Sequence, residues 1–219
     1  MTKTSRPHRA SQKPGIFPAL GDHTGLILPR DFYDRETLEV ARGLVGAHLH
    51  RRLTFNGEQV ELIGRITETE GYLGHIDDAA HAFRGKTRRT RAMFGPPGHA
   101  YVYFIYGMYW CMNAVAGPEG VGEAVLIRSI QPIQGAEVMR ELRGGAKALA
   151  DGPGKLCQAF NITGEEYGAD LTVDTGENAL FITEATEAVD IRATPRIGIP
   201  KATTRDEPWR FIDADARRK

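Results

Sequence analysis

In the run TETEGYLG, Glu68, Glu70 and Tyr72 stand at every second position. Side chains of a strand alternate, so these three would share one face, with Thr69 and Gly71 on the other. Two carboxylates and a phenol form either a solvated face paired to Arg or Lys, or a site that uses a carboxylate as a general base. Spacing does not choose between Glu68 and Glu70. A second concentration is YVYFIYGMYW, Tyr101 to Trp110, which holds four of the chain's seven tyrosines and one of its two tryptophans. Such rings suit a strand and could fill a core, but each buried tyrosine hydroxyl needs a partner. Flat rings also stack on nucleic-acid bases, at about 1 to 3 kcal/mol each. Arg84, Lys86, Arg88, Arg89 and Arg91 precede them without an intervening acid. A basic loop beside rings and a carboxylate is what a protein acting on an unstacked base requires. His75, Asp77, Asp78 and His81 are metal-ligand types, yet their spacing matches no strong metal motif. A pocket or core role is the better reading for His81.

The elements that must position these groups are punctuated clearly. The dipeptide Asn56-Gly57 separates HLHRRLT from QVELIGRITETEGY, a strong hairpin signal. Asp34 is placed to cap a helix with Leu38, Ala41, Leu44 and Val45 on one face, ended by Gly46. DDAAHAF reads as a short helix capped by Asp77 or Asp78. Gly107 breaks the aromatic run into two strands, and EAVLIRSI forms a further strand after the turn GPEG. Short helices are expected at GAEVMRELR and GPGKLCQAF, and short strands around LFI, VDI and RIG. Val102 and Phe104 are expected in the core. With no repeat and no linker, this pattern predicts an α+β fold: one domain with a curved, largely antiparallel sheet, surrounding helices and a protruding hairpin. Residues 1–24 read as a disordered basic arm and 25–214 as the domain.

Bulk properties narrow the function classes. Of 219 residues 41% are hydrophobic, enough for a substantial core. No run reaches the length of a membrane-spanning helix, and the first 20 residues lack the apolar stretch of a signal peptide. A soluble intracellular protein is expected, cytoplasmic in a prokaryote and nuclear in a eukaryote. Cys111 and Cys157 form no CxxC pair and are expected to be buried, reduced thiols. The formal net charge is zero, but its distribution is uneven: eight acids and no base lie between Glu165 and Asp190, inclusive.

The blocks ETEGYLG, DDAAHAF, the basic loop leading to YVYFIYGMYWCMN, VLIRSIQP and GPGKLCQAF follow one another at short intervals. Together they resemble the alkyladenine (3-methyladenine) DNA glycosylases of the mammalian type, from about Arg30 to about Trp209. One departure is Gly71, where that family usually has Ala. The resemblance implies a monofunctional base-excision-repair enzyme that flips a damaged purine out of double-stranded DNA and hydrolyses its glycosidic bond. It implies Glu70 as the carboxylate that activates water, with Arg128 orienting both. Tyr72, His81 and Tyr103 would wall the base pocket, and Asn113 would reject guanine's amino group. Cation–π attraction of about 0.5 to 2 kcal/mol would favour positively charged alkylated purines there. Tyr106 would fill the gap left in the duplex, with Gly107 turning the tip and Met108 and Tyr109 beside it. Arg84, Lys86, Arg88, Arg89 and Arg91 would hold phosphates. Neither metal nor organic cofactor is expected, and the enzyme is expected to be monomeric.

Overall fold

Asn56 and Gly57 both take positive φ, 51° and 85°. That conformation twists two strands into register, and Asn and Gly adopt it most readily. The strands are β1 (His48–Phe55) and β2 (Glu58–Tyr72), paired antiparallel from Phe55 opposite Glu58 to His48 opposite Arg65. The computed structural model describes residues 25–216, so the expected N-terminal arm lies outside the described residues. β2 is the spine of an α+β domain. One edge of it pairs with β5 (Glu123–Gln134), and the other pairs first with β1 and then, at Glu68 to Glu70, with β8 (Arg210–Asp213).

The antiparallel sheet continues outward in the order β3-β4-β5-β2-β1-β6, and β7 (Ile191–Thr194) joins through β8. β3 (Ala100–Ile105), β4 (Tyr109–Ala116) and β6 (Leu180–Thr183) complete it among the described residues. Register shifts between β2 and β5 at Ile66/Glu68 and Glu68/Thr69 leave Thr67 and Arg128 without an opposite partner. Such bulges bend a sheet and re-aim side chains. Here they curl it into a half-barrel around the carboxylates.

Helices α1 (Arg30–Tyr33), α2 (Thr37–Gly43), α3 (Ala136–Leu142) and α4 (Pro153–Ala159) surround the sheet. Val40, Ala41 and Leu44 pack with Leu49, Ile66, Val125 and Phe160 in the main core. Pro153 begins α4 where a missing N–H is harmless.

Four local expectations need correction. Asp34 ends α1 instead of capping α2, its N–H donating to the Arg30 carbonyl, and α2 stops at Gly43, short of Gly46. DDAAHAF is a chain of turns, not a helix, because Asp77 accepts from the N–H of Ala79 in a tight side-chain turn and is held by Arg196. RIG forms no strand, since Arg196 is drawn inward to Asp77, whereas Arg210–Asp213 forms the unexpected strand β8. Phe104 is 47% exposed and leans on Trp110, while Val102 is buried as expected.

Candidate active site

The alternation expected of β2 is realised. Thr69 points to α2, its hydroxyl donating to the Ala41 carbonyl at 2.7 Å, and a Cβ on Gly71 would meet Leu38 at 2.7 Å. Glu68, Glu70 and Tyr72 take the opposite face, and it is not solvated: Glu70 is 0% exposed and Glu68 9%. One Glu70 oxygen accepts from the Tyr72 hydroxyl at 2.9 Å and Arg128 Nη1 at 3.1 Å; the other accepts from the backbone N–H of Ile197 at 2.8 Å. Glu68 accepts from Arg128 Nε at 3.0 Å and Arg210 Nη1 at 2.9 Å. The two glutamates thus have different duties. Glu68 is an anchor between two arginines, and Glu70 stands under the cleft.

The cleft, of about 370 Å³, brings together Tyr72, His81, Tyr103, Tyr106, Tyr109, Asn113 and Arg128. Burial, followed by the charge of Glu70, pushes the Tyr72 hydroxyl far above its usual range, so it stays a donor to the carboxylate. Burial does the same to Tyr103. The His81 ring meets Tyr103 edge-on at 4.5 Å, and its Nδ1 lies 2.9 Å from the Tyr101 hydroxyl. His81 is exposed at the cleft, yet desolvation by the rings packed on one side of it and then the nearby Arg89 charge lower it to about 4. The imidazole is therefore neutral at physiological pH. Asn113, buried in β4, donates its side-chain amide to the Tyr101 carbonyl at 2.9 Å, which fixes it in the cleft wall.

β3 and β4 carry this wall outward to a turn closed by the Met108 N–H donating to the Ile105 carbonyl at 3.2 Å. At the tip Tyr106 and Gly107 have φ of 53° and 70°. Glycine adopts this freely; for tyrosine it is strained. Tyr106 is 80% exposed and Met108 61%. Tyr109, by contrast, folds back against α4, where a Cβ on Gly154 would come within 3.0 Å of its ring. All five loop cations, Arg84, Lys86, Arg88, Arg89 and Arg91, are exposed, with Arg89 over the Tyr103 ring and Arg91 over Tyr167.

His75, Asp77, Asp78 and His81 do not converge. Asp77 is engaged by Arg196, Asp78 accepts from the Thr203 N–H, His75 points to solvent and His81 joins the ring cluster. Among the described residues no three or more His, Cys, Asp or Glu side chains are grouped to hold a metal.

A family model described as methylpurine-DNA glycosylase matches residues 31–217. The chain belongs to this family. A relative from Methanocella arvoryzae is 50% identical over 194 residues, covering 87% of this chain and 94% of its own. One from Carboxydothermus hydrogenoformans is 47% identical over 85% of this chain and 94% of its own. A third, from Rhodopseudomonas palustris, is 45% identical over 99% and 96%. All three are named provisionally as 3-methyladenine DNA glycosylases.

Several groups in this glycosylase site escape a reading of the sequence. Tyr101 could have been found, because it shares the Tyr103 face two residues away and bonds His81. The Ile197 N–H could not, since a backbone donor leaves no compositional trace and this one lies 127 positions from Glu70. Arg196 and Arg210 reach the site through contacts 119 and 142 positions apart in sequence.

Proposed function

We propose that this glycosylase turns a damaged purine, alkylated or deaminated, out of double-stranded DNA and hydrolyses its N-glycosidic bond, leaving an abasic site. The observation that carries this reading is the Glu70 carboxylate held by Tyr72, Arg128 and the Ile197 N–H beneath a ring-walled cleft. A carboxylate offers about four lone-pair sites. Three are taken, and the fourth remains for a water that Glu70 orients and deprotonates as it attacks C1′. Arg128 also balances the charge that would otherwise repel an electron-rich nucleophile.

The ring walls support recognition of the extruded base. Electron-rich faces of Tyr72 and Tyr103 attract a cationic alkylpurine by about 0.5 to 2 kcal/mol, and a neutral His81 adds no repulsion. Asn113 meets the purine edge and disfavours guanine by leaving an amino group crowded or unpaired. Tyr106 fills the vacated position in the stack and offsets part of the few kcal/mol lost on extrusion. The exposed cations of residues 84–91 hold phosphates. No lysine lines the cleft among the described residues, which supports hydrolysis without a Schiff base. The protein acts as a monomer within the cell.

The test is incubation with a duplex containing one hypoxanthine or one alkylated purine. Free base should appear with a strand that stays intact until alkali cleaves the abasic site. Binding without base release would leave only a recognition module, and nicking without alkali would contradict the monofunctional mechanism.

A further inference from the structure

Behind the cleft, Asp77 and Arg196 form an ion pair in which both side chains are 0% exposed. Arg196 reaches the two carboxylate oxygens through Nη1 at 2.6 Å and Nη2 at 2.9 Å. Nη1 also donates to the Gly71 carbonyl at 2.9 Å, and Nη2 to the Thr204 hydroxyl at 2.9 Å, which itself donates to Asp77 at 2.8 Å. The guanidinium lies over two rings, 4.5 Å from the centroid of Tyr72 and 4.9 Å from that of Trp209. Burial acts against the Asp77 charge, but the bonds from Arg196 and Thr204 outweigh it and hold the carboxyl below its usual range.

The pair touches two of the three segments that donate to Glu70, β2 and the stretch holding Ile197, while β5 supplies Arg128 independently. Gly71 follows the carboxylate in β2, Tyr72 donates to it, and the residue after Arg196 is Ile197, whose N–H also donates to it. On the other side, Asp77 shapes the turns that carry His81 by accepting from Ala79. A buried ion pair contributes little net stability, because desolvation offsets attraction, and apolar replacements are often as stable. Arg196 also keeps a buried Nε without a partner among the described residues. Stability alone is therefore a weak account of this arrangement.

We infer that Asp77 and Arg196 are positioning residues: together they fix the Ile197 N–H and the Tyr72 ring about Glu70, and thereby set the rate of glycosidic hydrolysis. This rests on Glu70 acting as proposed above. Misplacing a reacting group by about 1 Å can cost on the order of 100-fold in rate.

The experiment measures base release from a hypoxanthine duplex at saturating enzyme in a single turnover, beside duplex affinity and thermal melting, for Asp77→Asn and Arg196→Lys. Lysine keeps the charge opposite Asp77, so this variant carries the test if Asp77→Asn fails to fold. The rate constant should fall about 30-fold or more at full amplitude, with affinity within about threefold of the parent. A parental rate constant with lower amplitude or a lower melting temperature would mean that the pair only stabilises the fold, and would overturn the inference. Parent and Glu70→Gln controls separate the two levels. If the parent releases no base, or Glu70→Gln matches it, the proposed reaction itself fails.

Discussion

His81 shows how the surroundings of a single side chain decide its chemistry. Its folded-state pKa lies below the unfolded value of about 6.5, so as the pH falls the unfolded chain takes up a proton first. The neutral imidazole's contribution to stability is thus complete above about pH 6.5 and is lost between there and about 4. An NMR titration should place the His81 midpoint near 4, and Arg89→Ala should raise it, because the Arg89 charge is the second cause of the shift. A midpoint at 6.5 in the parent would show that the rings do not desolvate it. At this scale the sequence was only partly legible. Alternation put Glu68, Glu70 and Tyr72 on one face, but spacing could not separate the glutamates, and only their partners do so. The types of His75 and Asp77 allowed a metal that their spacing did not support, and the partner of Asp77 is an arginine 119 positions away.

At the scale of the element, the β3-β4 hairpin trades comfort for reach. Tyr106 has a left-handed backbone that an L-residue occupies at a cost of about 1 to 2 kcal/mol, and its exposed ring gains little from the protein in return. Asparagine tolerates that conformation better. Tyr106→Asn is therefore expected to raise unfolding free energy by up to about 1 kcal/mol in denaturant titrations while slowing base release from duplex DNA more than from a single strand. Equal losses on the two substrates would remove the wedge role. Elements whose signals are local were readable: the Asn56-Gly57 hairpin, the break at Gly107 and the proline-started α4 all stand where the residues announce them. Elements decided by tertiary contact were not. DDAAHAF has helix-forming alanines and a capping residue, but its Asp77 is diverted to Arg196, and β8 needs the exposed edge of β2 to exist as a strand.

Across the whole molecule, a net charge of zero conceals a loop of five exposed cations next to the ring-walled cleft. DNA affinity should therefore fall with salt despite the neutral total. Each Arg or Lys in 84–91 that contacts a phosphate should make the negative slope of log affinity against log salt shallower by about 0.9 when replaced by Ala. A slope unchanged by all five replacements would move the DNA interface elsewhere. The fold class was legible because short turns between strands enforce antiparallel pairing, but the half-barrel curl depends on bulges at Thr67 and Arg128 that no residue type marks. That curl brings Arg128, Tyr72 and the Ile197 N–H onto one carboxylate, and base release requires that carboxylate to work as a base. The direct measurement is single-turnover release of hypoxanthine from duplex DNA by the parent and by Glu70→Gln, which keeps the shape but cannot take a proton. The predicted result is a loss of about 100-fold or more with duplex binding retained; release at the parental rate would contradict it.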